Sequence, residues 1–182
     1  SKMGAELDSL ADFVNFGVAP PLVIYFWALQ DMPSAGWISV LIFAVCCVLR
    51  LARFNVVHKS DIEDDDGGYY TGVPSPAGAG LVMMPMFASF AIADAPLVPA
   101  GIVCFYMIGI GFLLISRIPT WSFRAMTVSR ENVKFLIVGF VFIGAAVLTY
   151  AWITLVALSL LYVGLVIWAL IAGKAPSKRK KT

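Results

Sequence analysis

The sequence predicts an all-α fold, a polytopic membrane helix bundle of about six transmembrane helices. Three observations predict it. Of 182 residues, 60% are apolar and only 13% are charged, and the mean hydropathy is +0.89. A soluble domain carries about 25% charged residues. Six apolar segments, roughly 13–30, 37–54, 78–94, 97–116, 133–150 and 152–172, each come near the ~20 residues that cross a bilayer. With six crossings, all 13 Lys and Arg residues fall on one side of the membrane. A transmembrane β-barrel would need alternating segments of about ten residues, and none is seen.

The first segment, 13–30, follows a polar stretch that holds Glu6, Asp8 and Asp12. Pro20-Pro21 is expected to kink it. The link Asp31–Gly36 has no Lys or Arg. The second segment ends in Arg50-Leu51-Ala52-Arg53-Phe54-Asn55. The polar loop Val57–Ser75 then carries the acidic run Glu63-Asp64-Asp65-Asp66. That run lacks the spacing and closing Glu of a calcium loop, so it reads as a solvated turn. Tyr70-Thr71-Gly72-Val73-Pro74-Ser75-Pro76-Ala77-Gly78 makes a stiff re-entry turn with Pro suited to the next helix's first turn.

Pro85 should kink the third segment. Ala93–Pro99, again without Lys or Arg, leads to the fourth. The loop Arg117–Asn132 holds Arg117 and Trp121, an anion contact or an interface anchor. The fifth and sixth segments join at Tyr150–Trp152. Residues 1–173 therefore read as one membrane domain, and 174–182 as a basic tail that meets anionic headgroups or stays solvated. Gly78, Gly80, Gly101, Gly109, Gly111, Gly139 and Gly144 are expected to let helices approach closely.

Lys2, Arg50, Arg53, Lys59, Arg117, Arg124, Arg130, Lys134, Lys174, Lys178, Arg179, Lys180 and Lys181 share one face, which the positive-inside rule makes cytoplasmic. Cys46, Cys47 and Cys104 lie in apolar runs without metal-ligand spacing and read as small buried residues. The lone His58 reads as solvated at a loop start.

Gly4, Asp8 and Asp12 are spaced i, i+4, i+8 and share one helix face. Two carboxylates one turn apart at a membrane edge are costly without a cation. One reading is a helix N-terminal cap, favoured by the dipole. The other is a site for a hard divalent cation, Mg²⁺ or Mn²⁺, that bridges to substrate phosphates. Gly4 would leave room for a bulky ligand. Arg50 and Arg53, at i and i+3, are either snorkelling cations at a helix C-terminus or an anion clamp.

Gly4-x3-Asp8-x3-Asp12 resembles the second half of the CDP-alcohol phosphotransferase signature, Asp-x2-Asp-Gly-x2-Ala-Arg-x8-Gly-x3-Asp-x3-Asp. The strings at residues 6–20, 50–55 and 72–77 resemble the bacterial phosphatidylserine synthase branch of that family, and the resemblance covers the whole chain. It implies an N-terminally truncated member, with the first half of the signature upstream of Ser1. It implies transfer of a phosphatidyl group from CDP-diacylglycerol to L-serine, giving phosphatidylserine and CMP. It implies a homodimer in the inner membrane with a cytoplasmic active site and no nucleic-acid partner. By position, Asp8 matches a metal ligand. Asp12 matches the proposed general base, which also touches metal, and Gly4 the glycine beside the nucleotide. Arg50, Arg53 and Arg117 are candidates to offset the negative charge of serine or phosphate. Glycerol 3-phosphate or inositol phosphate acceptors are the nearest alternatives. A cation transporter is the alternative from another class, although transporters place acids near the midplane of broken helices, often in repeated halves.

Overall fold

The computed structural model describes residues 2–59, 70–71, 73–92, 98–116, 119–120 and 133–172. The loop acids 63–66, Arg117, Trp121 and the tail 174–182 lie outside the described residues. Helix α1 (Lys2–Asp12), a π-helical segment (Phe13–Val18) and α2 (Ala19–Ala28) run on as one rod. α3 (Pro33–Lys59), α4 (Ser75–Ile92), α5 (Ala100–Ile115), α6 (Val133–Thr149) and α7 (Ala151–Ala172) follow. Each of the six rods overlaps one of the six predicted segments. Four spans are long and apolar enough to cross a membrane, Glu6–Ala28, Pro33–Arg53, Ser75–Ile92 and Ala151–Trp168. Ala100–Ile115 and Ile137–Thr149 are shorter apolar helices.

The prolines explain the π segment. Pro20 and Pro21 have no N–H, so the carbonyls of Phe16 and Gly17 lack their usual partners four residues on. The ladder shifts register, and the Ala19 N–H donates to the Val14 carbonyl, five residues back. Asp12 stands immediately before this change of pitch.

Pro85 creates the same deficit at Leu81. Here the neighbouring helix repairs it: the Tyr106 hydroxyl of α5 donates to the Leu81 carbonyl at 2.7 Å. In a membrane interior every carbonyl needs such a partner.

α3 packs most extensively on α5, and α4 on α7. Ile24, Phe43, Val82, Phe87, Met107 and Leu114 belong to the core between them. Two glycines serve close approach. A Cβ on Gly78 would lie 2.5 Å from Leu114 Cδ2, and one on Gly17 would lie 2.9 Å from Cys47 Sγ. Gly111 is in ordinary contact with α3. Among the described residues, a Cβ on Gly80, Gly101, Gly109, Gly139 or Gly144 would meet nothing within 4 Å, so close approach is used at Gly78 and Gly111 of the seven. Outward positions are strongly apolar, with Phe105 79%, Phe140 78% and Leu148 89% exposed, as suits a lipid-facing surface.

The two ends of the bundle differ. Trp27, Phe90 and Trp152 meet where α2 and α4 end and α7 begins, with Phe90 and Trp152 ring centroids 4.8 Å apart. Aromatic rings of this kind belong to an interface belt. The opposite end carries Asp12, Arg50 and the start of α4. Tyr70–Thr71 pairs antiparallel with Pro119–Thr120, in the register Tyr70↔Thr120 and Thr71↔Pro119. This short pairing joins the two polar loops, so they share a side, as the charge pattern requires.

One boundary differs from the sequence reading. α3 continues to Lys59 rather than ending near 54, so His58 is helical and not at a loop start. Nothing between Asn55 and Lys59 breaks a helix, and the first glycines come only at Gly67-Gly68. Arg50 and Arg53 therefore stand inside the helix rather than at its C-terminus, at the end of the apolar span Pro33–Arg53.

Candidate functional site

Helix α1 places Gly4, Asp8 and Asp12 on consecutive turns of one face. Gly4 and Asp8 are exposed and Asp12 is half-buried. The first turn of α1 contains no acid, and Asp12 makes no side-chain cap at the junction it occupies. The cap reading therefore fails at both positions.

Ser9, one residue beyond Asp8, anchors this turn to α3. The Asn55 side-chain amide donates to Ser9 Oγ at 3.0 Å. Gly17 allows the next part of the rod to lie against Cys47 of the same helix. Two ties thus hold the acidic turn beside the arginine-bearing turn.

Arg50 is half-buried, and its Nη1 donates to Ser75 Oγ at 2.7 Å. Ser75 is the first residue of α4 and is buried. The Cys47 thiol also points at Ser75 Oγ, at 3.8 Å. Asp12, Cys47 and Tyr162 all lie within electrostatic reach of Arg50. The arrangement brings a carboxylate from α1, a guanidinium from α3, a hydroxyl from α4 and a phenol from α7 into one neighbourhood. A cation near Asp12 offsets its charge in surroundings of low dielectric.

Arg53 is exposed and turns to another helix, with Nη1 in a long 3.5 Å contact with the Ile115 carbonyl. Arg50 and Arg53 thus share a helix face but not a partner. Arg117 is outside the described residues. Among the described residues no group of three His, Cys, Asp or Glu side chains is placed to hold a metal. Asp8 and Asp12 supply hard oxygen donors, the type that Mg²⁺ and Mn²⁺ take, but only part of a coordination shell.

Ser75 and Tyr162 were not singled out from sequence for this neighbourhood. Tyr162 carried a usable signal, as a polar tip in the otherwise apolar run 152–172. Ser75 lay in a string that read as a turn, and no local pattern pairs position 75 with position 50.

The sequence model of the CDP-alcohol phosphatidyltransferase family matches residues 1–107. The CDP-diacylglycerol–serine O-phosphatidyltransferase of Mycobacterium leprae is 35% identical over 169 residues, 89% of this chain and 54% of that protein. The enzyme of that name from Mycobacterium tuberculosis is 39% identical over 135 residues, 70% of this chain and 45% of its own length. The one from Bacillus subtilis is 38% identical over 125 residues, 68% of this chain and 62% of its own. The chain spans about half the length of the mycobacterial relatives it matches. The chain belongs to the CDP-alcohol phosphatidyltransferase family.

Proposed function

We propose that this member of the CDP-alcohol phosphatidyltransferase family is part of an enzyme that transfers a phosphatidyl group from CDP-diacylglycerol to L-serine. The products are phosphatidylserine and CMP. The observation that carries the reading is that Asp12 and Arg50, which Ser75 holds at 2.7 Å, lie within electrostatic reach of each other. The names of the similar proteins, CDP-diacylglycerol–serine O-phosphatidyltransferase, support serine as the acceptor.

The residue types suit the chemistry. Asp12 takes the proton of the serine hydroxyl as its oxygen attacks the phosphorus that bears diacylglycerol. The bond from that phosphorus to the CMP oxygen breaks, and CMP leaves. Arg50 offsets the negative charge that a serine carboxylate or a phosphate brings beside Asp12. Arg53 and Arg117 are further candidates for the same charge balance. Gly4 leaves space for the nucleotide. Asp8, with Asp12, would hold a divalent cation, Mg²⁺ or Mn²⁺, which when bound neutralises the diphosphate. Acceptors that carry their own phosphate need a denser basic pocket. Among the described residues Arg50 is the cation within reach of Asp12 and Cys47.

The enzyme works as a homodimer in the bacterial inner membrane, with its site facing the cytoplasm. The one-sided distribution of Lys and Arg supports that orientation. Residues 1–173 form the membrane domain, and 174–182 a basic tail on the same face. The test is CMP release by the full-length protein in mixed micelles with CDP-diacylglycerol and one alcohol at a time. Release with serine and a divalent cation supports the reading. Release with glycerol 3-phosphate or inositol phosphate alone replaces the acceptor, and release with none of the three refutes the activity.

A further inference from the structure

The first rod is anchored differently on the two sides of Asp12. After it, Phe13 packs against the core, Gly17 is buried and Ile24 is fully buried. Before it, Met3, Gly4, Glu6, Leu7, Asp8 and Leu10 are all exposed. The π segment begins just past Asp12, so the acids stand above a change of pitch, on a turn with little apolar anchorage.

Ser9 is the exception in that turn. It is half-buried and faces Asn55 of α3, which is half-buried as well. Asn55 Nδ2 donates to Ser9 Oγ at 3.0 Å, and Ser9 Oγ lies 3.4 Å from Asn55 Oδ1. Both ends of one amide thus address one hydroxyl. With 3.6 residues per turn, Ser9 sits about 60° from Asp12 and about 100° from Asp8 around the helix axis. A tie at Ser9 therefore sets how far α1 is rotated, and with it where both carboxylates stand. One interhelical hydrogen bond adds little to the stability of a membrane bundle. A misplacement of about 1 Å in a reacting group, by contrast, costs up to roughly 10²-fold in rate.

We propose that Asn55 is a positioning residue: through Ser9 it fixes the rotation of α1 and so holds Asp8 and Asp12 in the geometry that a divalent cation and the incoming hydroxyl require. The inference rests on the phosphatidyl-transfer reading, in which Asp12 takes the serine proton and Asp8 and Asp12 would hold the cation. It gives the arginine-bearing helix a part in the acidic site through a residue that touches no substrate.

The test uses the full-length enzyme with Ser9→Ala, with Asn55→Ala and with both. Turnover and the KM for serine are read from CMP release. Affinity for Mn²⁺ alone, without substrate, is read from the electron paramagnetic resonance of the free ion, and unfolding is followed in detergent. Each single variant should lose roughly tenfold in turnover and in Mn²⁺ affinity, with the KM for serine within about twofold of wild type. Ser9→Thr, which keeps a hydroxyl, should restore both. The double variant should lose no more than the worse single one, because each removes the same bond, and multiplicative losses contradict the proposal. Turnover and Mn²⁺ affinity at wild-type values overturn it. So does a lower unfolding temperature with wild-type Mn²⁺ affinity in the folded fraction, which leaves a plain packing tie. Wild-type enzyme inactive with serine refutes the parent reading instead, and the Mn²⁺ affinities still decide the role of Asn55.

Discussion

Replacing Ser75 with Ala removes the short hydrogen bond that holds Arg50 among the described residues. Ser75 is 2% exposed, and its Oγ accepts from Arg50 Nη1 at 2.7 Å. The variant leaves that N–H without its partner, beside a buried Nε that already lacks one. A hydrogen bond to a charged group contributes about 1.5–3 kcal/mol. At ~1.4 kcal/mol per factor of ten, that corresponds to a loss of roughly tenfold to hundredfold in kcat/KM for the acceptor. The 3.8 Å contact from the Cys47 thiol adds little, because sulfur is a weak donor. The assay is CMP release by the full-length enzyme as a function of serine concentration. Ser75→Thr, which keeps a hydroxyl, should recover much of the loss. Wild-type kcat/KM for Ser75→Ala would refute the idea that Ser75 holds Arg50 for binding.

The remaining predictions separate site from scaffold. Arg50→Ala should raise the KM for serine by more than Arg53→Ala, because Arg50 is half-buried and held by Ser75 within electrostatic reach of Asp12, while Arg53 is exposed and reaches the Ile115 carbonyl; equal effects in a steady-state assay would contradict the division. Tyr106→Phe should lower stability by about 1–3 kcal/mol, read as a lower unfolding temperature in detergent, with KM values unchanged, since it orphans the Leu81 carbonyl. Gly17→Ala should cost about 1–3 kcal/mol by forcing α3 off the π segment, where the new Cβ would meet Phe13 Cδ2 at 2.8 Å and Cys47 Sγ at 2.9 Å. Gly109→Ala, with open space around it, should be neutral or slightly stabilising in the same unfolding measurement.

The helices were legible because a membrane demands long apolar runs, and the one-sided charges fixed their order across the bilayer. Runs 37–54 and 152–172 could be read directly on those grounds. The π segment was harder. Pro20-Pro21 announced a disturbance, but a kink and a register shift use the same residues, and only the path of the Ala19 N–H decides between them. The end of α3 lies beyond the apolar run because polar residues do not end a helix, and Asn55–Lys59 contains no helix breaker. Asp8 and Asp12 were visible as an i, i+4 pair, a purely local pattern. The contact of Arg50 with Ser75 was not visible, because it joins positions 25 residues apart that only the packing of α3 and α4 brings together. The glycines gave permission rather than position. A small residue permits close packing but does not require it, and five of the seven singled out face open space among the described residues.

The central claim is that Asp12 is the proton acceptor for the incoming hydroxyl. Asp12→Asn keeps the shape and removes the base. Phosphatidylserine formation by the full-length variant, measured together with its CDP-diacylglycerol affinity, tests this most directly. Turnover should fall by about 10²–10⁴, the range that general base catalysis supplies, while the affinity largely survives. Turnover near wild type would contradict the account.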